Sequence, residues 1–125
     1  MNNLFDVLQK KPVRVDKSWG YELIFANDEN NNYCGKILHI NKGSKFSMHF
    51  HRIKAETFYI LSGEVRVSLL DLKSKDGDVH SNILSKGECL ELPLLQPHQV
   101  EALEESEIIE ASNFHEDEDS YRIWR

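Results

Sequence analysis

The sequence predicts an all-β protein, an antiparallel sandwich or barrel with a short helical segment at its N-terminus. Nine short apolar or alternating runs recur at intervals of about ten residues, the rhythm of a many-stranded antiparallel fold. Clusters of Gly, Asn, Asp and Ser punctuate them, and almost no helical period appears after the first dozen residues.

In chain order, Leu4, Phe5, Val7 and Leu8 are spaced for about one and a half turns of amphipathic helix, ended by Pro12. A helix that short is unstable alone and needs a surface to pack on. The strand runs follow at 21–26, 34–41, 46–51, 57–61, 64–72, 79–84, 89–92, 99–103 and 108–112. Residues 27–32 form a polar loop. Asn41-Lys42-Gly43, Ser62-Gly63 and Ser85-Lys86-Gly87 form tight turns, and Lys75-Asp76-Gly77-Asp78 a hairpin tip. This divides the chain into an N-terminal arm (1–16), one β domain (17–113) and an acidic, then aromatic tail (114–125) that docks through Tyr121, Ile123 and Trp124.

A chain of 125 residues has the size of one compact domain. Its net charge of −6 disfavours nonspecific nucleic-acid binding, which needs a basic stripe to displace counterions from phosphates. The charge is unevenly spread: residues 101–119 hold nine acids and no Lys or Arg, whereas residues 1–100 are nearly balanced. Such an acidic run reads as a solvated face. Cys34 and Cys89 lie outside any C-x-x-C arrangement and read as buried thiols in a reducing compartment. No continuous apolar leader and no apolar run near membrane-spanning length occurs, so a cytoplasmic protein without a membrane partner is expected.

The chemistry concentrates between Gly43 and Gly63. On a strand, residues i and i+2 share a face, so His49 and His51 project side by side. If the chain turns near Lys54, Glu56 swings in from the next strand, and the run Gly87 to His98 brings one more imidazole after a proline-rich turn. Three neutral imidazoles and a carboxylate suit one divalent ion such as zinc, manganese, iron, nickel or cobalt, with one or two positions left open for reaction. Lys36 and Lys45 are candidates for contacting an anion. Phe58 shares the parity of Glu56 and so is placed to line the pocket, while Trp19, Phe46 and Tyr59 read as core. His39, His80 and His115 read as ordinary surface or satisfied histidines.

The spacing Gly43-x5-His49-x-His51-x4-Glu56-x6-Gly63 resembles the first motif of the cupin superfamily without a gap. Gly87-x5-Pro93 and His98 match the second motif, with Leu95 in place of its glycine and Ala102 in place of its asparagine. The resemblance spans roughly residues 17–113. It implies a cupin-type antiparallel barrel, or jelly roll, and His49, His51, Glu56 and His98 as metal ligands. A homodimer is also implied, since small cupins resemble paired barrels. Trp19-Gly20-Tyr21-Glu22, Lys36, His51-Arg52 and Glu118-Asp119-x-x-Arg122 are similar to the cupin domain of type II mannose-6-phosphate isomerases, the last with a one-residue shift.

Three functions are compatible with such a site. A metal-dependent isomerase or epimerase of a sugar or sugar phosphate needs an ion to stabilise an enediolate and a separate base, for which Glu91 and Glu110 are candidates. An iron-dependent dioxygenase of a small organic substrate would use the open positions for substrate and dioxygen. A non-catalytic cupin would simply hold a small ligand. A pocket ion held by three neutral imidazoles and one carboxylate leaves the centre near +1, so an anionic sugar suits it despite the acidic total.

Overall fold

The computed structural model describes residues 7–125. Eleven strands form two antiparallel sheets. They are β1 (Val13–Lys17), β2 (Gly20–Asp28), β3 (Tyr33–Ile40), β4 (Met48–Phe50), β5 (Glu56–Ser62), β6 (Glu64–Leu70), β7 (Val79–Ser85), β8 (Cys89–Leu92), β9 (His98–Ala102), β10 (Ser106–Ser112) and β11 (Tyr121–Trp124). One sheet has the order β1-β2-β3-β10-β5-β8 and the other β11-β4-β9-β6-β7.

Alternation explains which face of each strand turns inward. Along β5, Glu56, Phe58 and Ile60 are buried, and along β9 His98, Val100 and Ala102 are buried. Leu38, Ile40, Phe58, Ile60, Leu92 and Ile108 from the first sheet meet Val65, Val67, Leu84, Val100 and Ala102 from the second. Each large side chain so buried contributes about 1.5–3 kcal/mol relative to exposure. The same inward parity that builds this core at one end of β5 and β9 carries Glu56 and His98 at the other.

The strand map differs from expectation at its margins. The expected sandwich or barrel is a sandwich rather than a barrel, with edge strands β1 and β8 on one sheet and β11 and β7 on the other. Strands β1 and β11 were not anticipated. Both are exposed edge strands with few inward apolar residues, so alternation barely marks them. The tail docks by ladder pairing of Tyr121 with Phe50, Arg122 with His49 and Trp124 with Met48, while the side chains of Tyr121, Ile123 and Trp124 stay exposed.

Of the expected N-terminal helix, Leu4 and Phe5 lie outside the described residues. Residues 7–12 carry no helix, and Val7 and Leu8 are exposed. Cys34 is buried, but Cys89 is exposed, because β8 is an edge strand whose inward positions are Leu90 and Leu92. Tyr59 likewise turns outward, having the parity opposite to Phe58. No helix among the described residues is long and apolar enough to cross a membrane.

Candidate metal centre

His49 lies on β4 and His51 follows it directly, while His98 opens β9 and pairs in register with His49. Pairing across the ladder puts both side chains on one face. The ring centroids lie 4.6 Å apart for His49 and His98, 5.0 Å for His49 and His51 and 5.8 Å for His51 and His98. One nitrogen from each ring falls within 4.8 Å of the others, so the three-histidine group can hold a metal ion. Glu56, the first residue of β5, adjoins this group: its Oε1 is 2.9 Å from His98 Nε2 and 3.6 Å from His51 Nε2.

Hydrogen bonds decide which nitrogens are available. His49 Nδ1 meets the Ser47 carbonyl at 2.8 Å, His51 Nδ1 the Asp119 carbonyl at 2.9 Å, and His98 Nδ1 the Gln96 carbonyl at 2.9 Å. A carbonyl only accepts, so each ring carries its proton on Nδ1 and a neutral ring presents a lone pair at Nε2. His98 Nε2 and Glu56 Oε1 are both buried without a hydrogen-bond partner, although they are 2.9 Å apart. Two lone pairs facing each other at that distance repel unless a cation or a proton lies between them. Burial, then the neighbouring His98, pushes His49 down to about 3, against the opposing pull of its bond to Ser47, so that ring stays neutral. Burial also lowers His51. For Glu56 burial opposes ionisation, but a proton on His98 Nε2 shared across the 2.9 Å gap, with the charges of Lys54 and His51, outweighs it and holds the carboxyl below its ordinary range, so the gap takes either that proton or a cation. The donor set therefore fits a divalent ion.

These groups line a cavity of about 540 Å³ that also takes in Lys36, Lys45 and Phe58. Lys36 is 1% exposed, with Nζ 3.5 Å from Glu22, and Phe58 is equally buried, whereas Lys45 is exposed at the mouth. Lys36 and Lys54 are paired with carboxylates. Lys17, Lys45, Arg122 and Arg125 also line the cavity and have no ion-pair partner among the described residues. Against these four the exposed lining contributes the carboxylate of Asp117, so the opening faces incoming ligands with a net positive charge.

The candidate bases separate cleanly. Glu110 is buried and lines the cavity; Glu91 is exposed on β8 and does not. Lys54 Nζ bonds Glu110 Oε2 at 3.0 Å and His115 Nδ1 at 3.1 Å, and lies 3.4 Å from Glu56 Oε2. Burial, then the charge of Glu56, raises Glu110 to about 7, against the pull of Lys54 and Lys36. Lys54 and His115 carried no sequence signal for this site. Since the ammonium only donates, His115 Nδ1 accepts and its Nε2–H donates to Asp117 at 3.0 Å. His115 is thus satisfied but also lines the cavity. His39, stacked on Tyr21, and the exposed His80 lie apart from it, as expected.

A family model described as the cupin domain matches residues 36–111. Among solved structures, the capsular polysaccharide assembling protein CapF of Staphylococcus aureus superposes with a TM-score of 0.78 at 17% identity, over 94% of this chain and 33% of that one. Oxalate decarboxylase of Bacillus subtilis gives 0.75 at 18% identity, over 95% of this chain and 33% of its own. KdgF from Halomonas sp. gives 0.68 at 19% identity, over 89% and 98% respectively. The chain therefore spans about a third of the first two and nearly all of the third. Mn(II) centres are described for the B. subtilis decarboxylase. No curated protein matches the sequence.

Proposed function

From the premise that this chain belongs to the cupin domain family, as the match over residues 36–111 establishes, we propose that it is a metal-dependent isomerase or epimerase of a sugar or sugar phosphate. The observation that carries the proposal is the pair of buried, unpartnered atoms His98 Nε2 and Glu56 Oε1, 2.9 Å apart beside two further imidazoles. In this reading His49, His51, His98 and Glu56 hold one divalent ion: zinc, manganese, iron, nickel or cobalt. When bound, the ion supplies positive charge against the negative charge that develops on a carbonyl oxygen as a neighbouring carbon loses its proton.

The chain's own residues supply the rest. Glu110 takes the proton and returns it to the adjacent carbon, a role suited to a buried carboxyl raised to about 7. Lys54 orients Glu110 through its 3.0 Å bond. Lys36 and Lys45, with Arg122 at the mouth, bind the anionic end of the ligand, and Phe58 supplies an apolar wall that excludes water. A homodimer belongs to the same proposal on the cupin resemblance, and light scattering of the purified protein tests it.

The test is metal analysis of protein purified without added metal, followed by solvent-deuterium exchange with a panel of hexose and pentose phosphates. About one ion per chain is expected, with occupancy lost in His49→Ala and Glu56→Ala. Deuterium should enter at least one sugar in the wild type, and Glu110→Gln should slow that exchange by about 100-fold or more. Absence of stoichiometric metal across preparations overturns the metal centre, and absence of exchange with every sugar overturns the isomerase. Exchange that persists with zinc and without dioxygen separates this function from a dioxygenase.

A further inference from the structure

The acidic tail contains one acid that is not solvated. Asp119 is 5% exposed, in a short 3₁₀ turn (Asp117–Asp119) between the end of β10 and β11. Its carboxylate accepts the backbone N–H groups of Arg52 at 2.8 Å, Ile53 at 3.1 Å and Lys54 at 3.0 Å. Those three residues belong to the four-residue loop that joins His51 to Glu56. The backbone carbonyl of the same Asp119 accepts the Nδ1–H of His51 at 2.9 Å. Immediately afterwards β11 pairs with β4, Arg122 standing opposite His49.

We propose that Asp119 is a positioning residue for the metal centre, clamping the loop between two ligands and fixing the ring of His51 with Nε2 free. This rests on the metal-centre reading above. The carboxylate anchors residue 119 to the loop, and that anchorage delivers its carbonyl to the imidazole. A single residue, 68 positions from His51 in sequence, thus holds both the ring and the backbone that carries it. Partners of this kind typically matter 10- to 100-fold in metal affinity. Because binding linkage is reciprocal, an ion that gains from a docked tail must tighten that docking by the same factor.

The experiment uses the full chain with Asp119→Ala, Asp119→Asn and, as a control on charge alone, the exposed neighbour Glu118→Gln. Zinc affinity is measured by chelator competition, the His51 tautomer by long-range ¹H–¹⁵N NMR of metal-free protein, and amide exchange of residues 121–124 with and without zinc. Expected are a 10- to 100-fold loss of zinc affinity in both Asp119 variants, a mixed His51 tautomer, and zinc-dependent protection of residues 121–124 in the wild type. Glu118→Gln should change none of these. Zinc affinity within twofold of wild type and an unchanged tautomer in folded Asp119→Asn would overturn the proposal. Should Asp119→Ala not fold, the asparagine decides, since it keeps an acceptor for the loop but turns an amide N–H toward one of its donors. Should the wild type take up no metal, the metal-centre reading falls while the metal-free tautomer still judges Asp119.

Discussion

At Leu95 the backbone adopts φ +70°, the left-handed region in which a side chain costs about 1–2 kcal/mol. This is the position where the second cupin motif carries glycine. The N–H of Leu95 bonds the carbonyl of His51 at 2.8 Å, so the strained residue also touches the backbone of the candidate metal centre. Its side chain is 51% exposed, and little burial is lost on removing it. Leu95→Gly should stabilise the protein by about 0.5–1 kcal/mol, after allowing for glycine's larger unfolded-state entropy, with zinc affinity unchanged. Urea unfolding checks this, and a destabilised variant would show that the leucine packs usefully at the rim. Asn32, at φ +56°, occupies the same region with less strain, because its short polar side chain tolerates it.

Among the elements, the turns that bracket β4 and β5 use glycine for different reasons. Gly43 has φ +81° with nothing near a Cβ built there. Gly63, at φ +83° between β5 and β6, would place a Cβ against Ser106 and 2.5 Å from the Glu105 carbonyl. Gly43→Ala should therefore cost about 1–2 kcal/mol from backbone strain alone. Gly63→Ala should cost about 3–4 kcal/mol, because the β10 turn must also shift. Equal losses by thermal or urea unfolding would contradict this division. Strand β4 is short for a related reason: past His51 the N–H groups of residues 52–54 turn to the Asp119 carboxylate, so no ladder continues.

Across the whole molecule, charge and protonation set the working range. Burial is the leading cause that lowers His49 to about 3 and His115 to about 4, from an ordinary 6.5. Below about 6.5 the unfolded chain binds protons that the folded chain refuses, so metal-free stability should fall as pH drops from 6.5 towards 4. Each such proton contributes a slope of about 1.4 kcal/mol per pH unit. His115→Asn should flatten that decline by about one proton, and an unchanged slope in urea melts from pH 4 to 8 would sink the assignment. Glu110 acts with the opposite sign: raised to about 7, it takes up a proton on folding and loses that advantage as pH rises through 7. At pH 7, zinc at a thousandfold excess over its Kd should add about 4 kcal/mol, removable with EDTA.

Local signals in the chain were enough for the all-β class, for nine of the strands and for the convergence of His49, His51, Glu56 and His98. Those signals are local: a two-residue period marks inward faces, and His49, His51 and Glu56 fall within eight residues joined by one turn. Parity also put Phe58 on the cavity side. Tertiary structure alone decided what lies far apart in the chain. Edge strands β1 and β11 bury too little to show a period, and the proton on each imidazole depends on a carbonyl that only the folded backbone supplies. Lys54, Glu110 and His115 meet across some sixty residues. Asp119 falls within the Glu118-Asp119-x-x-Arg122 resemblance, but its contacts were not legible, because nothing local distinguishes a carboxylate facing water from one facing three backbone N–H groups.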